Sequence, residues 1–231
     1  MFHSDETLSW AMTTNGDKTK VLIVDDHPMM RQGLIQMINN EPDLAVCGEA
    51  ETAEQAITQI EKTKPHLVLV DITLGGRSGL ELIKDIQAID PNLPLLVLSM
   101  HDESLYAERV LRAGGRGYIM KQEGGKQIML AIRQVLSGQI YVSPKMSASI
   151  LEGFSGNRSG AGASPVQKLT DREFEIFQLI GEGRSTRHIA RRLRLSVKTV
   201  EVHKQHIKEK LSLADAPSLA RYAVRWVESN A

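Results

Sequence analysis

One cysteine in 231 residues excludes a disulfide framework. Cys47 lies in the apolar stretch LAVCGEA and reads as a small buried hydrophobe of a cytoplasmic protein. No apolar run approaches the roughly 18 residues that a membrane span needs. A basic start followed by an apolar stretch is also missing, so no secretory leader is expected, and residues 1–19 read as a polar, mobile extension. There is no internal repeat, and there is no net charge, with 28 basic and 28 acidic side chains. That balance hides an asymmetry. Residues 1–153 carry 14 Lys and Arg against 20 Asp and Glu, whereas residues 154–231 carry 14 against 8. An acidic half joined to a basic half suggests two domains with different partners, the basic one suited to nucleic acid.

The 42% of hydrophobic residues is ordinary for a globular protein, and the length suffices for two modest cores. From Lys20 onward, short apolar strands (KVLIVDD, LAVCGEA, HLVLVD, LPLLVLSM, GYIMK) alternate with amphipathic windows at 28–40, 52–63, 79–89, 104–114 and 125–138. Five strands alternating with five helices predict an α/β domain over 20–140, a doubly wound parallel sheet covered on both faces. Residues 141–168, rich in Gly and Ser from 153, read as a linker. Residues 169–231 read as an all-α, four-helix unit.

The carboxyl ends of strands in such a sheet are where ligands bind. Asp25 and Asp26 follow the first strand, Asp71 the third, Ser99 the fourth and Lys121 the fifth. Three carboxylates at one edge repel one another and call for a cation. A hard divalent ion such as Mg²⁺ suits a site of few carboxylates and several waters. Asp71, on the central strand, is placed to attack a phosphoryl group and become an acyl phosphate. Lys121 would neutralise the transferred charge and Ser99 would donate to the phosphoryl oxygens. Each residue alone is more readily a turn, a cap or a solvated side chain. Five at one sheet edge are not.

The segments VLIVDDHPMMRQGL, VDITLGGRSGLEL, LVLSMHDE and GYIMKQ resemble the receiver domain of bacterial two-component response regulators, a CheY-like, flavodoxin-like fold. The resemblance implies that Asp71 accepts phosphate from a sensor histidine kinase. It implies that Asp26, Asp71 and the carbonyl of Thr73 ligate Mg²⁺, with Asp25 acting mostly through water. It also implies that Ser99 and Tyr118 reorient on phosphorylation. The chain then would be no enzyme beyond phosphorylation and autodephosphorylation of its own receiver. Where the family usually has a proline four residues after the phosphoacceptor, this chain has Gly75, followed by Gly76. That departure keeps open a platform that works without phosphorylation. An aspartyl phosphatase is a further rival, but such enzymes space two acids two residues apart on the first strand, and here the acids are adjacent.

In the basic half, LTDREFEIFQLIGEGRS opens with a capping box, Thr170 and Glu173. Ser185 and Ser196 cap the next two helices, the second bearing four lysines, which reads as a helix-turn-helix. At 100° per residue, Val200, Ile207 and Leu211 form a core stripe, while Val202 points outward beside Lys198, Glu201 and Gln205. An apolar group and a glutamine on that face suit a major groove, with Lys198, Thr199, Lys204 and Lys208 on phosphates. His203 and His206, three apart, hint at a metal, but no further cysteine or acid supports one. The segment from Leu169 resembles the LuxR-type helix-turn-helix. Joined to a receiver, it resembles the NarL/FixJ class of response regulators. That implies base contacts from Glu201, Val202 and Gln205, double-stranded promoter DNA as partner, and a homodimer when phosphorylated. The last helix offers Leu219, Tyr222, Val224 and Trp226 as dimer residues.

Overall fold

The computed structural model describes residues 18–74, 78–154 and 165–229. Five strands, β1 (Thr19–Val24), β2 (Leu44–Ala50), β3 (Leu67–Asp71), β4 (Leu95–Ser99) and β5 (Gly117–Met120), form one parallel sheet in the order β2-β1-β3-β4-β5. Between them run α1 (Pro28–Asn39), α2 (Ala53–Thr63), α3 (Gly79–Ile89) and α4 (Glu103–Arg112), and α5 (Gly125–Leu136) follows β5. Side chains alternate across the sheet. Leu22, Val24, Val68, Val70, Leu95 and Val97 face α2, α3 and α4 through Ala56, Leu80, Ile83 and Val110. Val21, Ile23, Leu67, Leu69, Leu96 and Leu98 face α1 and α5 through Leu34, Ile38, Ile128 and Ile132. Both faces are covered, which is why the strands read as apolar throughout.

Strand order reverses between β1 and β3, and their carboxyl ends open a crevice there. Helix α3 starts flush against it. A Cβ on Gly79 would lie 2.4 Å from the carbonyl oxygen of Asp71, so only glycine permits this approach. Ser78 caps α3 by accepting the Leu80 N–H.

The second unit comprises α7 (Asp171–Gly181), α8 (Thr186–Arg192), α9 (Val197–Lys210) and α10 (Ala216–Ser229) around Phe174, Phe177, Ile189, Val200, Ile207 and Ala223. The expected capping box forms. The Thr170 N–H donates to Glu173 Oε2 at 2.8 Å, and the Glu173 N–H to Thr170 Oγ1 at 3.3 Å. The 141–168 stretch is not linker throughout, because α6 (Pro144–Phe154) and a 3-10 turn (Pro165–Lys168) lie within it. Proline at the first helical position is the local signal for α6.

The two units touch. Tyr106 on α4 donates its hydroxyl to Gln178 Oε1 and meets the Phe174 ring edge-on at 5.2 Å. The Arg109 guanidinium sits 4.2 Å from the Phe174 ring centroid and donates to the carbonyls of Leu169 and Val166. Asp171 accepts from both Lys84, at 2.6 Å, and Arg109, at 3.2 Å.

Candidate functional site

The end of β3 delivers Asp71 to the crevice, 3% exposed, with the Asp25 carboxyl (2% exposed) beside it on the end of β1. Lys121, just past β5, spans both. Its Nζ lies 2.7 Å from Asp25 Oδ2 and 2.8 Å from Asp71 Oδ2. Burial pushes the Asp71 carboxyl above the usual carboxylate range, although the Lys121 ammonium opposes this. The charge of its carboxylate neighbours raises Lys121 against the lowering effect of burial. The Thr73 N–H donates to Asp71 Oδ1 at 3.1 Å, fixing the turn after the strand. Gly75 and Gly76 lie outside the described residues.

The carboxylates of Asp25, Asp26 and Asp71 and the ring of His27 bring ligand atoms within 4.8 Å of one another. Oxygen-rich and acidic, this set fits a hard divalent cation. Asp25 is already engaged through both oxygens, by the His27 N–H at 2.8 Å and by Lys121. Sequence reasoning missed three residues here. His27 Nδ1 sits 2.9 Å from Asp26 Oδ1, 3.2 Å from Asp25 Oδ1 and 3.5 Å from Asp71 Oδ2, among the carboxylates where a cation would bind. The buried Arg31 donates to the Asp25 carbonyl at 2.7 Å and pairs with Glu49 and Glu51, which anchors the acidic turn. His101 Nε2 lies 3.1 Å from Thr73 Oγ1, and its ring packs 5.1 Å from Tyr106.

Ser99 and Tyr118 are both fully buried. Ser99 Oγ accepts the His101 N–H at 3.1 Å, and the Tyr118 hydroxyl donates to the His101 carbonyl at 2.8 Å. The phenol is therefore already inward, so any reorientation of Tyr118 starts from a packed position. Cys47, read as buried, is half-buried, with Sγ 3.4 Å from Thr63 Oγ1.

On α9, Val200 and Ile207 are fully buried, while Val202 stays 47% exposed in the company of Lys198, Glu201 and Gln205. Glu201 is not simply offered to bases. It accepts from Thr186 at 2.9 Å and from Lys204 at 3.0 Å, which holds its carboxyl below the usual range and ties α9 to α8. The Gln205 amide donates to Glu209 at 2.8 Å, Thr199 shares a 2.7 Å hydrogen bond with Ser196, and Lys208 is half-buried on the flank. On α10, Leu219 is 1% exposed and belongs to the core, so it cannot serve a dimer surface. The Trp226 ring packs 5.5 Å from those of Phe174 and Phe177, and Tyr222 packs 6.0 Å from Phe177. Val224 is partly exposed.

Comparison with known proteins matches this geometry. The response regulator receiver domain model fits residues 21–133, and the model of bacterial regulatory proteins, luxR family, fits residues 167–223. The oxygen regulatory protein NreC of Staphylococcus carnosus (strain TM300) is 35% identical over 210 residues, 89% of this chain and 97% of that protein. A structure of two RcsB dimers bound to two parallel DNAs is 26% identical, with a TM-score of 0.55, and the match covers 89% of this chain and 98% of that one. RcsB of Salmonella enterica serovar Typhimurium, bound to promoter rprA in the presence of phosphomimetic BeF3-, is 25% identical, with a TM-score of 0.60, over 90% and 99%. The acidic crevice at the β1/β3 ends and the outward face of α9 are thus two parts of one known kind of molecule, and this chain belongs to the response regulators that join a receiver domain to a LuxR-type DNA-binding domain.

Proposed function

We propose that Asp71 takes a phosphoryl group from a sensor histidine kinase in the cytoplasm, and that this controls dimerisation and binding of α9 to promoter DNA. One observation carries the reading: a buried carboxylate at the end of the central strand, bridged to a second carboxylate by the Lys121 ammonium. In the transfer, an Asp71 carboxylate oxygen forms a bond to phosphorus while the phosphorus–nitrogen bond of a phosphohistidine breaks. The electron pair stays on the imidazole nitrogen, which takes a proton from water. Lys121 holds the phosphoryl oxygens, and Ser99 donates its hydroxyl to them. Asp26, Asp71 and the Thr73 carbonyl would hold Mg²⁺, which supplies further charge neutralisation. The His27 ring moves aside to admit it.

Lys198, Thr199, Lys204 and Lys208 are the phosphate-contacting residues in this reading, and Val202 and Gln205 the base-reading ones. Glu201 acts as a positioning residue through Thr186 and Lys204. Tyr222, Val224 and Trp226 remain the α10 candidates for pairing two copies.

The test uses a small-molecule phosphodonor with Mg²⁺ and reads phosphate incorporation by mass. Wild type gains one phosphoryl group, Asp71→Asn gains none, and beryllofluoride tightens DNA binding of the wild type alone. Equal incorporation into Asp71→Asn would refute the assignment.

A further inference from the structure

Away from the acidic crevice, α7 and α9 bring three ligand-type side chains together. Glu173, His203 and His206 place a carboxylate oxygen and two imidazole nitrogens within 4.8 Å of one another. The His-x-x-His spacing sets both rings along one side of α9, and the fold adds Glu173 from α7. Glu173 is 3% exposed, and its Oε2 already accepts from the Thr170 N–H and from Lys210 Nζ, at 2.8 and 2.6 Å. The other oxygen, Oε1, faces His206 Nδ1 at 4.0 Å. Nδ1 of His203 is buried and has no hydrogen-bond partner among the described residues. Buried polar atoms are nearly always paired, so an orphaned imidazole nitrogen on a member of this cluster demands an explanation.

We propose that Glu173, His203 and His206 bind a divalent transition ion of the zinc type, clamping the recognition helix α9 to α7. Two imidazoles and one carboxylate are the ligand set that borderline ions select, and such a set leaves a fourth position for water. Mg²⁺ and Ca²⁺ prefer all-oxygen sites. Bonds of about 2.0–2.2 Å ask His206 to close on Glu173 by about half an ångström, which an exposed side chain can do. Lys210 is the rival occupant. Its ammonium neutralises Glu173 in the free protein and repels an arriving cation. Val202 and Gln205 share α9 with both histidines, so the ion fixes the orientation of the base-reading face.

The test titrates Co²⁺ into the chelator-stripped full chain in excess Mg²⁺, which holds the receiver crevice. Visible absorption reports the geometry. The expected result is one equivalent with an intense, tetrahedral-type band that Zn²⁺ abolishes. His203→Ala, His206→Ala and Glu173→Gln each weaken binding by about tenfold or more, the scale on which metal sites respond to altered ligation. Glutamine retains the capping-box hydrogen bond, so Glu173→Gln separates a lost ligand from a lost fold. Lys210→Ala tightens binding, because the competing cation is gone. Unchanged affinity in the two histidine variants, or a band lost in Asp26→Asn instead, would overturn the proposal.

Discussion

Asp71 is held in a state that costs stability. Its carboxyl is raised by burial, so the native chain holds that proton more firmly than the unfolded chain does. Ionising it destabilises the fold as pH rises from the ordinary aspartate value, about 3.9, through the higher native one. Without Mg²⁺, Asp71→Asn is therefore expected to be more stable than the wild type at neutral pH, by about 0.5–2 kcal/mol. The gap should close as pH falls through that window. Urea denaturation at pH 7 and near pH 4 checks this, and a gap independent of pH would contradict it. Excess Mg²⁺ should narrow the difference at pH 7, since an ion held by the native acids would stabilise the folded wild type alone. The acids were legible in the sequence because each ends an apolar strand, where sheet topology alone brings them together. Arg31 and His101 were not. Their work depends on Glu49, Glu51, Thr73 and Tyr106, partners that no local pattern joins to them.

The strands and receiver helices were readable because periods of 2.0 and 3.6 separate them and Ser, Thr or Asp caps mark starts, as Thr52 and Asp102 do for α2 and α4. Helix α6 escaped because it stands beside a Gly- and Ser-rich stretch whose composition dominates the window. On α10, apolar residues on several faces suggested a dimer surface, yet Leu219 is spent on the core, and only contacts distinguish the two uses. Helix α9 was resolved further by its stripe, which separates buried Val200 and Ile207 from exposed Val202. Two substitutions test that division of labour. Lys198→Ala should weaken binding about equally on all sequences and lower the salt slope by about 0.9. Gln205→Ala should cost about 1–3 kcal/mol on a genomically selected site and little on a scrambled one. Fluorescence anisotropy at several salt concentrations measures both. A uniform loss in Gln205→Ala would remove that residue from base reading.

At the scale of the whole molecule, the receiver grips the DNA-binding unit by α7 and leaves the α9 face open, since Val202 remains 47% exposed. Closure therefore restrains where the second unit sits without covering the outward face of α9. The grip is built from unequal parts. Lys84–Asp171 has a largely exposed lysine and contributes little, about 0–1 kcal/mol. The buried Tyr106–Gln178 hydrogen bond contributes about 0.5–1.5 kcal/mol. Tyr106→Phe with Asp171→Ala removes both of these and the Arg109–Asp171 pair, about 1–3 kcal/mol in all, which multiplies the open population by roughly 5–150. Glu175 works in the opposite direction. Burial raises its carboxyl despite a 2.8 Å bond to Arg172 and a hydrogen bond to Ser78 of the receiver, so its ionised form is disfavoured while the units are closed. The closed form is accordingly stabilised at low pH and weakened as pH rises through the elevated Glu175 value. Small-angle scattering across pH should find the wild type expanding as pH increases. Glu175→Gln should stay compact throughout, and Tyr106→Phe with Asp171→Ala should be expanded at every pH. Should the Gln variant expand with pH as the wild type does, Glu175 is not the group that loosens the contact.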